Sequence, residues 1–283
     1  MRGSFPRRRA HMPEISAKDV MALRNKTGLS MMECKKALEE TGGNPSAAED
    51  YLRKKLKGKM DARTDRAAGQ GRIAVAIAPE GRAGTIVEIR TETDFTAKNE
   101  MFVDVCQKIA ELALKQPPGA IAPTPEMTKL IDDLRIKTGE NISFARGHEL
   151  QGGGNSMFGK YVHHDGKIGV LLHCEGSVSD DLARDICMHI AAAVPRPQGV
   201  TRNDIPQHVI DKERRLATEM AMEQGKPEEI AKKMVEGKIN ALISDLALME
   251  QPFVRDPSKK VKELLPKGAT ISAFLRWQVG EEA

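Results

Sequence analysis

Three histidines and a cysteine in one predicted hairpin are the side chains of this sequence best suited to bind a transition metal. His163 and His164 precede an Asp-Gly turn, and His173 and Cys174 follow it on the next predicted strand. Imidazole and thiolate groups are ordinary zinc ligands. Adjacent residues of a strand point to opposite faces of a sheet, however. The spacing therefore leaves a small metal-dependent enzyme as an alternative without favouring it, and we predict no metal site.

A second candidate for binding chemistry is an acidic residue next to an aromatic one, Asp94 and Phe95, in the most polar turn of the chain. The whole sequence has only 7 Phe, 2 Tyr and 1 Trp, so an aromatic side chain in such a turn is unusual. Phe95 could fold back and cap a core, as large apolar side chains usually do. It could instead project into a pocket of a partner, with Asp94 fixing the approach. The pattern alone does not decide between the two.

Motifs of covalent chemistry and of nucleotide binding are missing from the sequence. It contains no P-loop, no GxSxG and no HExxH, so we expect neither direct nucleotide binding nor a cofactor nor catalytic residues. The glycines at 152–154 resemble a phosphate cradle only superficially. With no strand predicted before them and no helix after them, we interpret them as a flexible loop.

Composition restricts the classes of partner. The chain has 44 basic and 40 acidic residues among 283, a net charge of +4, which is weaker than the basic face of a dedicated nucleic-acid binder. The basic segment at 53–72 keeps an RNA- or ribosome-associated accessory protein as an alternative. No apolar run approaches the roughly 20 residues that span a bilayer. Four cysteines without CxxC spacing indicate a reducing compartment, and we expect the protein in the cytoplasm.

The elements that position these residues begin with three short helices at 13–56. Ser16 and Asn44 are predicted helix caps, Ser30 and Glu33 form a predicted capping box, and Gly28 ends the first helix. The residues at 1–12 resemble a vector-derived leader, which we favour over the alternative that their basic triplet at 7–9 belongs to a targeting segment. A basic linker is predicted at 57–72.

A weak internal repeat organises the central region. In each copy a predicted hairpin precedes a helix, first at 71–89 and 100–115, then at 159–174 and 180–194. The fold class predicted is α+β, with two related subdomains that each combine an antiparallel sheet with helices. We place the first at 73–148 and the second at 149–206 with 251–283.

A helical hairpin interrupts the second subdomain. Residues 207–250 predict two antiparallel helices that are separated at Gly225, with Pro227 opening the second. The apolar spacing also fits a coiled-coil module, so a homodimer through this hairpin stays open.

Short blocks along the chain resemble the signature sequences of the bacterial elongation factor Ts family, the nucleotide exchange factors of elongation factor Tu. They occur in the family's order at 23–28, 31–38, 91–99, 189–192, 225–230 and 251–254. The resemblance implies a protein of translation elongation that binds the GTPase elongation factor Tu with GDP and promotes GDP release. It also implies that the three-helix domain is similar to a ubiquitin-associated domain.

The same resemblance assigns roles to individual residues. Thr93, Asp94 and Phe95 are expected to reach the magnesium and phosphate site of the GTPase, with Phe95 as a wedge. His189 and Ile190 are expected to pack against the GTPase domain, although a buried, hydrogen-bonded histidine is the alternative for His189. The contacts of the three-helix domain are expected at a further group of residues: Leu23, Arg24, Met31 and Met32.

Overall fold

The computed structural model describes residues 15–61, 64–225 and 227–281, which form two compact units. Unit 1 contains the described residues up to 68 together with 125–143, and unit 2 contains 69–124 and the described residues from 144 onward. The predicted leader at 1–12 lies outside the described residues. The α+β fold class predicted from the sequence is confirmed, whereas the predicted domain boundaries stay predictions.

The helices and strands of the described residues are as follows. The helices are α1 (Ala17–Thr27), α2 (Met31–Glu40), α3 (Pro45–Asp61), α4 (Asp94–Lys98), α5 (Glu100–Ala113), α6 (Pro125–Thr138), α7 (Asp180–Ala192), α8 (Gln207–Glu223), α9 (Glu228–Leu246) and α10 (Val261–Leu264). The strands are β1 (Gln70–Ile77), β2 (Ala83–Thr91), β3 (Gly119–Ala120), β4 (Ser143–Gln151), β5 (Ser156–Val162), β6 (Ile168–Glu175), β7 (Pro252–Phe253), β8 (Asp256–Lys260) and β9 (Thr270–Gln278). Short 3-10 helices lie at Arg202–Asp204 and Leu248–Glu250.

Unit 1 begins with the three predicted helices, whose ends have the predicted caps. The Ser16 side chain accepts a hydrogen bond from the Asp19 amide, and Ser30 and Glu33 form the capping box. Gly28 ends α1 at a φ of 70°, a left-handed conformation that glycine adopts without a steric penalty. The helices bury one apolar core between them, made of Val20, Leu23, Cys34, Ala37, Leu38, Ala48, Leu52 and Leu56.

The third helix is longer than predicted, because part of its basic segment has acidic partners. The sequence interpretation begins a linker at residue 57, but α3 continues to Asp61. Arg53 bonds Asp133 at 2.6 Å and Lys57 bonds Asp132 at 2.9 Å, and both acids belong to α6. The α6 helix is therefore part of the same packed unit as α3, although about seventy residues separate them along the chain.

The two larger sheets of unit 2 are antiparallel and pack face to face, and a separate two-stranded sheet is formed by β7 and β8. One of the larger sheets has the strand order β1-β2-β4-β3, and the other has the order β5-β6-β9. Their facing sides share one core of buried residues: Ile73, Val75, Ile86, Phe158 and Leu171. The strand β4 was not predicted, because its residues 143–151 mix polar, glycine and aromatic side chains without a clear alternation.

A helix covers the outer side of each sheet. The Thr85 hydroxyl of β2 donates to the Ala110 carbonyl of α5 at 2.7 Å. Alternate residues of β6, Val170 and Leu172, pack with Ile186 and Ile190 of α7. Each copy of the repeat thus supplies a hairpin and the helix that covers it, as the sequence predicts.

The predicted helical hairpin is also present, formed by α8 and α9. Ala217 of α8 packs with Val235 and Ile239 of α9 in a narrow apolar seam. Several large apolar side chains of both helices stay exposed outside this seam: Leu216, Met220, Met222, Ile230 and Met234.

The close approach of α7 to β5 gives a test of the packing in unit 2. A Cβ at Gly159 lies 2.9 Å from the Ala183 Cβ and 3.2 Å from its backbone. We expect Gly159→Ala to lower the free energy of unfolding by about 1–3 kcal/mol, because the α7 backbone has to move. Urea unfolding checks this value. Gly153→Ala is the matched control, since nothing lies within 4 Å of its added Cβ, and an equal loss in both variants contradicts the packing described.

Candidate docking site at the end of the first hairpin

The predicted turn after β2 folds as a short helix, α4, that is capped at both ends. The Thr93 hydroxyl accepts a hydrogen bond from the Thr96 amide at 3.3 Å. At the other end the Asn99 amide donates to the Thr96 carbonyl at 3.1 Å, and the Asn99 side chain accepts a hydrogen bond from the Met101 amide at 2.9 Å and begins α5. Such caps satisfy backbone groups that a helix end leaves without partners. The turn is therefore an ordered element with a defined direction.

Phe95 projects from this helix into solvent. Its exposure is 82%, whereas Ala97 of the same helix is 4% exposed and faces the protein. The interpretation that Phe95 caps a core is wrong. Among the described residues, it is the only aromatic side chain in the group of exposed large apolar ones. Burying a Phe side chain contributes about 1.5–3 kcal/mol, and this contribution is left for a partner to supply.

Asp94 stands beside Phe95 as an ionised carboxylate. The Lys98 ammonium, one turn further along α4, bonds its Oδ2 at 2.7 Å. This hydrogen bond lowers the pKa of Asp94 below its ordinary value. A single exposed apolar side chain is ordinary on a protein surface. An aromatic side chain next to a fixed negative charge on a capped helix is a more specific feature, and it suits a docking contact.

A buried ion cluster fixes the strand that leads to the turn. Glu88 of β2 is fully buried and accepts hydrogen bonds from Arg90 Nε at 2.8 Å and Arg146 Nε at 2.7 Å. The Gly280 amide donates to the same carboxylate at 3.0 Å. Arg146 also lies over the Trp277 ring, with 4.5 Å between the guanidinium carbon and the ring centroid. The end of β2 is therefore tied to β4 and to the segment that follows β9.

His189 and Ile190, the other predicted contact residues of unit 2, are buried. Their exposures are 1% and 0%. His189 Nδ1 accepts a hydrogen bond from the Val254 amide at 3.2 Å, so its Nε2 carries the proton and donates to Gln251 Oε1 at 2.9 Å. Burial lowers the pKa of His189. In this conformation neither side chain offers a contact surface, because His189 bonds the segment at 251–254 and Ile190 packs in the core with β6.

Val194 and Val254, which lie near His189, form the accessible surface of this region. Val194 is 95% exposed and Val254 is 42% exposed. Both line a groove of about 290 Å³ whose wall includes His189. Val254 lies within the resembling block at 251–254, so the sequence could identify it as a candidate contact. Nothing in the sequence indicates the exposure of Val194.

The predicted contact residues of unit 1 divide into one buried and three exposed side chains. Leu23 is 3% exposed and belongs to the helical core, so it is not a surface contact as predicted. Arg24, Met31 and Met32 are exposed, and Met32 has an exposure of 76%. Met21 is also half exposed. It lies outside the apolar stripe of α1, so the helical periodicity could have identified it.

The histidine-rich hairpin does not assemble a ligand set. His173 Nε2 lies 3.0 Å from the Ser156 hydroxyl, and its ring stacks on Phe158 at 4.6 Å. His163 Nδ1 lies 2.9 Å from the Tyr161 hydroxyl. Within the described ranges, no three His, Cys, Asp or Glu side chains are arranged as metal ligands.

The glycines at 152–154 have a different context from the one predicted. The strand β4 ends directly before them at Gln151, so the interpretation that no strand precedes them is wrong. The strand β5 follows at Ser156, and the Gly152 amide donates to the Arg82 carbonyl at 2.9 Å. They connect two strands, so no helix N-terminus follows them to bind a phosphate.

Comparison with known proteins finds similar sequences over most of the chain. The family model described as elongation factor TS matches residues 92–281, which include the whole of α4. The elongation factor Ts of Alkalilimnicola ehrlichii is 41% identical over 275 residues, covering 94% of this chain and 92% of the relative. Those of Thioalkalivibrio sulfidiphilus and Thiobacillus denitrificans are 39% and 38% identical, covering 94% and 95% of this chain and 92% and 93% of the relatives.

These matches place the chain in the class of translation elongation factors. Within that class it belongs to the elongation factor Ts family. None of the helices among the described residues combines the length and apolarity needed to cross a membrane.

A substitution at Glu88 tests whether the buried ion cluster stabilises the strand that leads to α4. We expect Glu88→Gln to lower the free energy of unfolding by about 3–5 kcal/mol, because it leaves two arginines without their buried partner. Urea unfolding measures the loss. The matched control is Glu228→Gln, which removes a carboxylate from an exposed pair with Lys232 and should change stability by less than about 1 kcal/mol. Similar losses in both variants contradict a structural role for the cluster.

Proposed function

We propose that this protein binds elongation factor Tu in its GDP form and promotes release of GDP, so that GTP can bind. The observation that carries the proposal is the exposed Phe95 on a capped helix beside ionised Asp94. A GTPase holds GDP through its phosphate loop and through a magnesium ion that contacts the phosphates. An aromatic wedge near that site displaces the groups that hold the ion and the β-phosphate, and GDP affinity falls.

The exchange proceeds by differential binding and needs no covalent step. If the protein weakens the binding of GDP, GDP weakens the binding of the protein by the same factor. Incoming GTP can then complete the cycle by displacing the protein. Accordingly the proposal includes no bound nucleotide, cofactor or metal in this chain, no nucleic-acid partner, and a site of action in the cytoplasm, where translation takes place.

The other predicted contacts have different roles in this proposal. Arg24, Met31 and Met32 supply a second contact with the GTPase through unit 1. His189 and Ile190 act as positioning residues, because His189 bonds the Val254 amide and so orders the segment beside the exposed Val194. The homodimer through α8 and α9 stays a prediction, to which the exposed Met222 gives an apolar surface.

The wedge can be tested by one truncation. We expect Phe95→Ala to slow the stimulated release of GDP at least about tenfold, equivalent to about 1.4 kcal/mol in the barrier. Stopped-flow fluorescence with a labelled GDP on elongation factor Tu measures the rate at saturating concentrations of this protein. Because Phe95 is exposed, the variant should melt at the temperature of the unaltered chain.

Met222→Ala is the matched control for the wedge. It also truncates a large exposed apolar side chain, with an exposure of 72%, but on the helical hairpin. Its release rate at saturation should equal that of the unaltered chain. An undiminished rate in the Phe95 variant rejects the wedge.

The contact of unit 1 can be tested separately by its effect on affinity. We expect Met32→Ala to weaken the complex with elongation factor Tu about fivefold or more, because a contact truncated at an interface centre costs more than 1 kcal/mol. Titration calorimetry measures the affinity. Leu23→Ala is the contrasting variant, expected to lower the stability of unit 1 by about 2–5 kcal/mol. An unchanged affinity in the Met32 variant removes this side chain from the interface.

A further inference from the structure

A groove of unit 2 lies away from the docking site and contains a buried acidic side chain. It has a volume of about 480 Å³ and lies between the connection of β1 to β2, the residues after α5, and the glycines at 152–154. This volume is within the range of about 300–1,000 Å³ typical of small-molecule sites. The charged residues that line it are Glu80, Arg82, Lys115 and Glu149.

Glu149 is the unusual member of this lining. It belongs to β4, is 4% exposed, and its Oε2 atom is buried without a hydrogen-bond partner. Burial raises the pKa of its carboxyl group. A buried carboxylate without a partner is costly, and buried polar groups in native proteins nearly always have partners. Neither the Arg82 guanidinium nor the Lys115 ammonium supplies one to Oε2, although both line the same groove.

The surroundings of Glu149 favour a positively charged occupant. The α5 helix ends at Ala113, so its carbonyl end, with its partial negative charge, lies at this groove. The amide oxygens of Gln116 and Gln151 line the groove as well and can accept hydrogen bonds. The two carboxylates, the helix end and the amide oxygens offer acceptors to a cation, and Glu149 has an oxygen without a hydrogen-bond partner.

We propose that this groove binds a small organic cation, whose ammonium or guanidinium group donates a hydrogen bond to the Glu149 carboxylate. Guanidinium and ammonium groups form short, charge-assisted hydrogen bonds with carboxylates. Arg82 and Lys115 are placed to attract a carboxylate on the same ligand, so an amino acid with a basic side chain is the ligand class that uses the whole lining. This site is independent of the exchange of GDP.

Titration calorimetry on the full chain tests the site with two probes. Agmatine carries both cationic groups and no carboxylate, whereas arginine adds the carboxylate. We expect saturable binding of agmatine at one site per chain, and tighter binding of arginine if Arg82 and Lys115 take part. Glu149→Gln keeps the shape of the side chain and removes its charge, and it should weaken the binding of both probes at least about tenfold. Glu228→Gln, an exposed site on α9, should leave binding unchanged.

The pH dependence of binding adds a second measurement, which would not change if Glu149 had only a structural role. Because the pKa of Glu149 is raised, a cation binds more tightly as pH rises through that pKa, and binding releases a proton. The other charged groups of the lining are Glu80, Arg82 and Lys115. If Glu149 supplies the proton, Glu80→Gln should keep the proton release and Glu149→Gln should abolish it.

Three results overturn the proposal. The first is the absence of saturable binding of either probe, and the second is equal binding by the unaltered chain and Glu149→Gln. The third concerns stability without ligand, because removal of an unpaired buried charge should leave the melting temperature equal or higher at pH 8. If Glu149→Gln and Arg82→Gln lower it by the same amount, Arg82 neutralises Glu149 internally and the groove has no vacant acceptor. In every case Glu149→Gln should retain stimulated GDP release.

Discussion

The carboxylate of Glu88 is the point on which the exposed part of unit 2 depends. It is fully buried on β2, yet three donors from separate parts of the chain reach it: Arg90 on the same strand, Arg146 on β4 and the Gly280 amide after β9. A buried charge is costly unless it is paired and hydrogen-bonded. Both oxygens of Glu88 are occupied, so the cluster fixes one register between these segments.

A short length of backbone connects the Glu88 cluster to the docking site. Arg90 lies two residues after Glu88, and Thr93 begins the capped helix three residues later. A side chain on a fixed helix loses little conformational entropy when it binds, whereas ordering a flexible loop at an interface costs free energy. In the proposed complex the Glu88 cluster therefore acts indirectly, because it fixes the direction of Phe95 before the partner binds.

Local signals in the sequence predicted the helices and strands well. They could not predict the contacts between distant segments of the chain. Helix caps such as Ser30, the Asp-Gly turn and the repeated hairpins are encoded within a few residues, and all are present. The pairing of α3 with α6 depends on charges about 75–80 residues apart, so the end of the helix at Asp61 was not predictable. Leu23 and His189 were assigned to surfaces by resemblance, which transfers a position without its degree of burial. Phe95 was the converse case, because polar neighbours indicate a turn but do not fix the direction of a side chain.

The difference between the two repeats explains why one of them has the candidate docking site. In the second copy β6 ends at Glu175 and Ser179 already caps α7, so the connection is short and has no aromatic residue. In the first copy the residues at 92–99 contain the additional helix α4 between β2 and α5. Both copies need their connection to place a helix over a sheet, and the shorter one is sufficient for that. The additional helix is not required by the fold, and its one large apolar side chain faces solvent. A segment that the scaffold does not need, held by caps at both ends and joined to the strand that the Glu88 cluster fixes, is best explained by a partner that binds it.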